Sequence, residues 1–181
     1  MRFTETKLKG AFIIEAERFV DDRGFFARGW SLKELQEHGI NLQFVESNFS
    51  FNLKKGTLRG MHYQAAPHAQ AKMVRCTRGA VFDVAIDLRP ESPTFKQWVG
   101  TELSPDNFLM FFIPAGFAHG YQTLEDNTEV VYQISTPYAP ESSKGVRWND
   151  PAFGIKWPEV GQRIMVARDR DYPDFSGSGV R

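Results

Sequence analysis

The segment GTLRGMHYQ, Gly56 to Gln64, places Arg59 and His62 three residues apart, and Lys72 follows eight residues beyond Gln64. An imidazole between two cations suits removal of a proton beside an anionic substrate, because its pKa lies near neutrality and the cations steady the charge that develops. IPAGFAHGYQ, Ile113 to Gln122, adds His119 behind a Pro and Gly turn. VVYQ carries Tyr132, and ARDRD carries Asp169 and Asp171 beside Arg168. Taken singly, His62 reads as an ordinary hydrogen-bonded histidine, Lys72 as a solvated strand lysine and Tyr132 as a core tyrosine.

The elements that position these groups read as β. KMVRCTRGAVFDVAIDL alternates apolar and polar residues, with a turn at Thr77 to Gly79, and FLMFFIPAGFAHGYQTL and EVVYQIST are further apolar runs split by Glu125 to Asn127. Short strands punctuated by Gly and Pro predict an all-β sandwich or barrel with a few short helices, whose mouth holds one small ligand. Strict alternation puts Arg59 and Met61 on one face and Leu58, Gly60, His62 and Gln64 on the other. Pairing that strand with the one carrying Lys72 and Val74 would join His62 to Lys72. One helix is signalled: Ser31 caps LKELQEHG, Glu34 completes a capping box and Gly39 ends it.

The 181 residues suit one domain, 1–181, with a tail expected to fray beyond Phe175 and to be flexible from about residue 176. Lysine plus arginine and aspartate plus glutamate both total 22, so no global field argues for nucleic acid or a membrane surface. The apolar run near the start, Ala11 to Ile14, is too short for a signal-peptide core or a span. A lone cysteine, Cys76, excludes an internal disulfide framework and fits a reducing, cytoplasmic setting. Sixteen phenylalanines suit an aromatic-lined interior.

Pro114-x-Gly116-x-x-His119 resembles the second motif of the cupin barrels, a jelly-roll fold. The first cupin motif, His-x-His with a carboxylate, is reduced to His62-Tyr63-Gln64. The chain has four histidines in all, with His38 on the helix and His68 in a loop, so neither a metal nor another cofactor is expected. The ordered blocks FVDDRGFFAR, ESNFSFNLKKGTLRGMHYQ, AKMVRCTRGAVFDVAIDLR, SPTFKQW, IPAGFAHGYQTL, VVYQIST, YAPESSKGVRWNDPAFGIKWP and ARDRDYP resemble the dTDP-4-dehydrorhamnose 3,5-epimerase family over roughly residues 2 to 175.

That resemblance implies inversion at C3, C5 or both of a nucleotide-linked 4-keto-6-deoxyhexose. His62 would be the base, its proton affinity raised by Asp169, with Asp171 the alternative register. Tyr132 would return the proton from the opposite face, and Lys72 would hold the enolate oxygen. Arg23, Asn48, Arg59 and Tyr138 would contact phosphates and base, with His119 and Arg168 near the sugar and phosphates, and Phe26, Arg28, Glu46 and Ser143 among the substrate-binding residues. The N-terminal segment carrying Arg23 would reach a neighbouring subunit's site, giving a homodimer. Three positions depart from the family pattern: Arg28 and Ser143 stand for glutamates, and Glu46 for a glutamine. Arg28 and Glu46 either form a charge-swapped pair or reshape the nucleobase end. Rival readings are a single-centre epimerase, one using CDP- or GDP-linked sugars, a 3,4-ketoisomerase, and a sugar-binding cupin without catalysis. Retention of His62, Lys72 and Tyr132 argues against the last.

Overall fold

A computed structural model describes residues 1–177. Among the described residues thirteen strands form: β1 (Arg2–Glu5), β2 (Phe12–Glu15), β3 (Arg18–Asp21), β4 (Gly24–Ala27), β5 (Glu46–Asn52), β6 (Leu58–Gln64), β7 (Lys72–Arg78), β8 (Val81–Asp87), β9 (Trp98–Leu103), β10 (Leu109–Ile113), β11 (Phe117–Thr123), β12 (Thr128–Ile134) and β13 (Ser143–Gly145). Two short helices, α1 (Leu32–Glu37) and α2 (Ala167–Arg170), complete the set. A six-stranded sheet runs β1-β2-β10-β7-β12-β5 and a five-stranded sheet β13-β6-β11-β8-β9, while β3 and β4 pair only with each other. All these pairings are antiparallel. This is the expected all-β, cupin-like jelly roll. No helix among the described residues is long and apolar enough to cross a membrane.

Alternation builds the layers. Val74, Phe111, Ile113 and Val130 from one sheet meet Val81, Ala85 and Leu103 from the other in the shared core. Met73, Met110 and Phe112 point the opposite way, under Leu35 of α1 and Ile40. Val84 and Ile86 face outward from the five-stranded sheet and are covered by Val146, Phe153 and Trp157, against which Phe175 packs. The chain is therefore anchored through Phe175; of the tail expected to fray, residues 178–181 lie outside the described residues. Ser31 caps α1 as expected, accepting from the Glu34 amide at 3.4 Å, but the Glu34 carboxylate does not turn back to it and instead binds Arg28 at 2.7 Å. The turn after Cys76 is shorter than expected, since β7 continues through Arg78.

Two expectations about β6 are overturned. β6 and β7 lie in different sheets, so His62 and Lys72 approach across the sandwich rather than along a shared ladder. Nor does β6 alternate strictly. His119 pairs with His62 but Tyr121 with Arg59, so three steps on β6 answer two on β11. This bulge turns Arg59 and His62 to one face and leaves Leu58 and Met61 together on the other, in the outer core.

Glycines make the bulge possible. Gly60 has φ +133°, and a Cβ there would meet the Gly120 Cα at 2.6 Å; one on Gly120 would meet the Arg59 carbonyl oxygen and Met61 Sδ, each at 2.7 Å. Gly120→Ala should therefore force β6 from β11 and destabilise the fold by about 1–3 kcal/mol, the usual range for overpacking. Thermal unfolding checks this, and an unchanged Tm would show that the two strands separate freely.

Candidate active site

Between the sheets, toward the edges formed by β5 and β13, lies a cavity of about 450 Å³. Its lining includes His62, Lys72, Tyr132, Glu46, Asn48, Arg59, His119, Tyr138, Ser143 and Arg168. Lys72 and Tyr132 come from adjacent strands of the six-stranded sheet. Lys72 pairs with Ile134 and Tyr132 with Val74, which makes the two side chains diagonal neighbours on one face. His62 and His119, directly paired, come from the facing sheet.

The C-terminal segment delivers the carboxylate to His62. A parallel bridge joins Thr57 to Ile164, with the Leu58 amide donating to the Ile164 carbonyl at 2.9 Å and the Ile164 amide to the Gly56 carbonyl at 2.9 Å. α2 follows, and its Asp169, 2% exposed, accepts from the Gly60 amide through Oδ2 at 3.1 Å and meets His62 Nε2 through Oδ1 at 2.8 Å. Asp171 faces solvent and binds Arg170, so Asp169 is the carboxylate at the imidazole. Arg168 Nη2 lies 3.4 Å from His62 Nε2. Since a guanidinium only donates, the shorter Asp169 contact decides the tautomer: Nε2 carries the proton and Nδ1 keeps the lone pair.

The electrostatics differ in one respect from the sequence expectation. Burial lowers the His62 pKa below the ordinary imidazole value; the Asp169 bond and charge oppose this without overcoming it, and Lys72 and Arg168 add to the lowering. Asp169 thus orients His62 and raises its proton affinity as expected, but loss of water costs the imidazolium more than the carboxylate returns, so the net shift is downward. Burial also pushes Asp169 upward, but His62, the Gly60 amide and Arg168 together hold it below the usual carboxylate range. Burial brings Lys72 down to about 8, opposed by the charge of Asp83. Tyr132 is pushed above the ordinary phenol value by burial, with Glu46 helping and Arg59 opposing. The resting site therefore holds a neutral base, a cation and a protonated phenol.

Asp83 is a site residue that sequence reasoning missed. It is fully buried and meets His119 Nε2 through both oxygens, at 2.9 and 3.0 Å, beneath the cavity floor. An acid at an inward position of VFDVAIDL was the available signal. Tyr172, edge-on to His62 with ring centres 6.1 Å apart, was also missed.

Arg23, Phe26 and Arg28 do not line the cavity. Arg23 and Phe26 sit on the β3–β4 hairpin, where Arg23 binds Asp21 and Phe26 is 67% exposed. Arg28 and Glu46 are not a charge-swapped pair within the chain: Arg28 takes Glu34, six residues ahead of it, while Glu46 remains in the cavity wall.

Two facing antiparallel sheets around a cavity lined by an oriented imidazole, an ammonium and a phenol define a cupin-like barrel suited to moving protons on a bound carbonyl compound. A sequence model of the family described as dTDP-4-dehydrorhamnose 3,5-epimerase matches residues 5–177. The enzyme of that name from Salmonella typhimurium is 45% identical over 170 residues, covering 93% of this chain and 92% of that protein. The crystal structure of the dTDP-4-dehydrorhamnose 3,5-epimerase from Elizabethkingia anophelis superposes with a TM-score of 0.95 at 39% identity, covering 99% and 98% of the two chains. A dTDP-6-deoxy-D-glucose-3,5-epimerase from Legionella pneumophila, solved in complex with dTDP-4-keto-L-rhamnose, superposes at 0.88 with 41% identity, covering 93% and 89%. The chain belongs to the dTDP-4-dehydrorhamnose 3,5-epimerase family, and it is an isomerase.

Proposed function

We propose that this enzyme inverts C3 and C5 of a nucleotide-linked 4-keto-6-deoxyhexose, converting dTDP-4-dehydro-6-deoxy-D-glucose to dTDP-4-dehydro-L-rhamnose. The observation that carries the reading is that His62 and Tyr132 enter one cavity from opposite sheets, with Lys72 in the same wall. His62 Nδ1 takes the proton from a carbon flanking the C4 ketone, and the electron pair moves into an enolate whose oxygen Lys72 holds. Tyr132 then protonates the same carbon from the other face, which inverts it. The phenolate recovers a proton from solvent and the imidazolium releases one, so the cycle balances and can repeat at the second carbon. No metal or other cofactor takes part in this scheme.

Arg59 and Arg168 are assigned to the diphosphate, since paired guanidinium donors match its oxygens. Asn48, His119, Glu46, Ser143 and Tyr138 contact the sugar and the nucleoside, Tyr138 by stacking. The β3–β4 hairpin, which pairs with no other strand and exposes Phe19, Val20, Phe25 and Phe26, is assigned to a homodimer contact that carries Arg23, Phe26 and Arg28 toward a second subunit's site. The chain is assigned to a single catalytic domain, and the unpaired thiol of Cys76 suits a cytoplasmic enzyme.

The test is incubation with dTDP-4-dehydro-6-deoxy-D-glucose in heavy water, followed by NMR. Deuterium at C3 and C5 with L-configured product is expected; exchange without inversion would overturn the reading. Tyr132→Phe should retain part of the exchange while product formation falls about 100-fold or more, within the usual range for loss of a general acid. Undiminished product would remove Tyr132 from the role of acid. CDP- and GDP-linked analogues in parallel show whether Glu46 and Ser143 have changed the preferred nucleotide.

A further inference from the structure

Arg59 is held in place by a residue outside the cavity wall. Asn52, the last residue of β5, is 2% exposed. Its Oδ1 accepts from Arg59 Nε at 2.8 Å. Its Nδ2 lies near three acceptors: the Ser50 carbonyl at 3.2 Å, the Thr128 carbonyl at 3.2 Å and the Tyr121 hydroxyl at 3.3 Å. Tyr121 is in turn fixed by Ser50 Oγ at 2.8 Å. The amide is thus clamped by backbone and by a buried phenol, and the short contact of its Oδ1 is to Arg59, with the Tyr121 hydroxyl farther off at 3.5 Å.

We propose that Asn52 is a positioning residue for Arg59, fixing the direction in which the guanidinium meets the substrate's diphosphate. A guanidinium can grip two oxygens along its Nε/Nη side or across its Nη1/Nη2 end. Asn52 occupies Nε, and the Phe51 carbonyl accepts from Nη2 at 3.5 Å on the same strand, so the ligand is left Nη1 and the second Nη2 hydrogen, at the end of the guanidinium. Glu46 lies six residues back along β5 and also lines the cavity, so the strand places an acceptor-only carboxylate at one level and the anchored cation at another. A diphosphate is drawn to the Asn52 end and repelled from the Glu46 end. The anchored arginine therefore sets how far the sugar reaches toward His62 and Tyr132. An arginine free to rotate would have to be ordered at each binding event, and the cost would appear as affinity.

This inference rests on Arg59 holding the diphosphate, and the experiment separates the two. Asn52→Ala should raise KM for dTDP-4-dehydro-6-deoxy-D-glucose, and Kd for free dTDP, each about tenfold, with kcat within about twofold of the parent, as removal of one hydrogen bond to a charged group implies. Asn52→Asp keeps the acceptor oxygen but loses the donor to the Ser50 and Thr128 carbonyls, so its KM should fall between those of the parent and Asn52→Ala. Arg59→Lys cannot use that acceptor in the same way, so Asn52→Ala placed on Arg59→Lys should add nothing. If Asn52→Ala does not fold, Asn52→Ser, too short to reach Nε, carries the same expectation. Full additivity with Arg59→Lys, or a fall in kcat as large as the rise in KM, would overturn the positioning role and leave Asn52 a structural residue. An unchanged KM in Arg59→Lys would instead overturn the diphosphate assignment.

Discussion

His62→Ala is expected to abolish turnover and, with it, deuterium uptake at C3 and C5. The loss in kcat should be about 100- to 10,000-fold, the range over which a positioned general base acts. Two cavity imidazoles have a nitrogen fixed by a buried carboxylate, His62 by Asp169 at 2.8 Å and His119 by Asp83 at 2.9 Å, and His62 is the more open of the two, its side chain 28% exposed against 9%. Affinity for dTDP should change far less than kcat, because Arg59 and Tyr138 keep their places in the lining and, of the two diphosphate arginines, only Arg168, 3.4 Å from His62, loses a neighbour. NMR in heavy water reads the exchange directly, and exchange at the parent rate in a folded variant would remove His62 from the role of base.

The second large effect is at Lys72. Its replacement by methionine keeps the apolar stem and removes the charge, and should cost about 100- to 1,000-fold in kcat, as loss of one preorganised oxyanion partner typically does. The parent enzyme's pH profile follows from the same geometry. Lys72 must be charged to hold the enolate, so activity is present below its pKa and is lost as the pH rises through about 8. His62 must be neutral to accept a proton, so activity is lost as the pH falls through a value below the ordinary imidazole pKa. A bell is expected, with its alkaline limb near 8 and its acid limb displaced downward. Lys72→Arg, whose guanidinium stays charged at all working pH values, should lose the alkaline limb even where the bulkier group slows the reaction. An alkaline limb unchanged in that variant would assign it to another group.

The strands were legible because their apolar alternation is local. Val81, Val84 and Ile86 announce β8, and Val130 and Val131 announce β12, without knowledge of their partners. Partner choice was not legible, since it depends on which faces bury which neighbours across the whole chain. β6 and β7 read as a pair but separate into two sheets, and a one-residue bulge opposite Gly120 reverses the expected facing of Arg59 against His62. The site was readable where a motif fixes a residue type, as at His62, Lys72 and Tyr132. It was not readable where a role arises from burial alone: Asp83 looks like any strand aspartate until the fold removes its water, and Asn52 like any turn residue until Arg59 arrives beside it. The Arg28 and Glu46 pairing failed for the same reason, because the carboxylate nearest Arg28 is set by where α1 begins.

In the proposed scheme the imidazole and the phenol act from separate layers, so two-faced proton transfer would depend on the thickness of the sandwich. Val74, Phe111 and Val130, none of which touches the sugar in the proposed scheme, serve as spacers that set the gap the proton donor must bridge. Thinning that filling would blur stereochemical fidelity while leaving every reactive group in place.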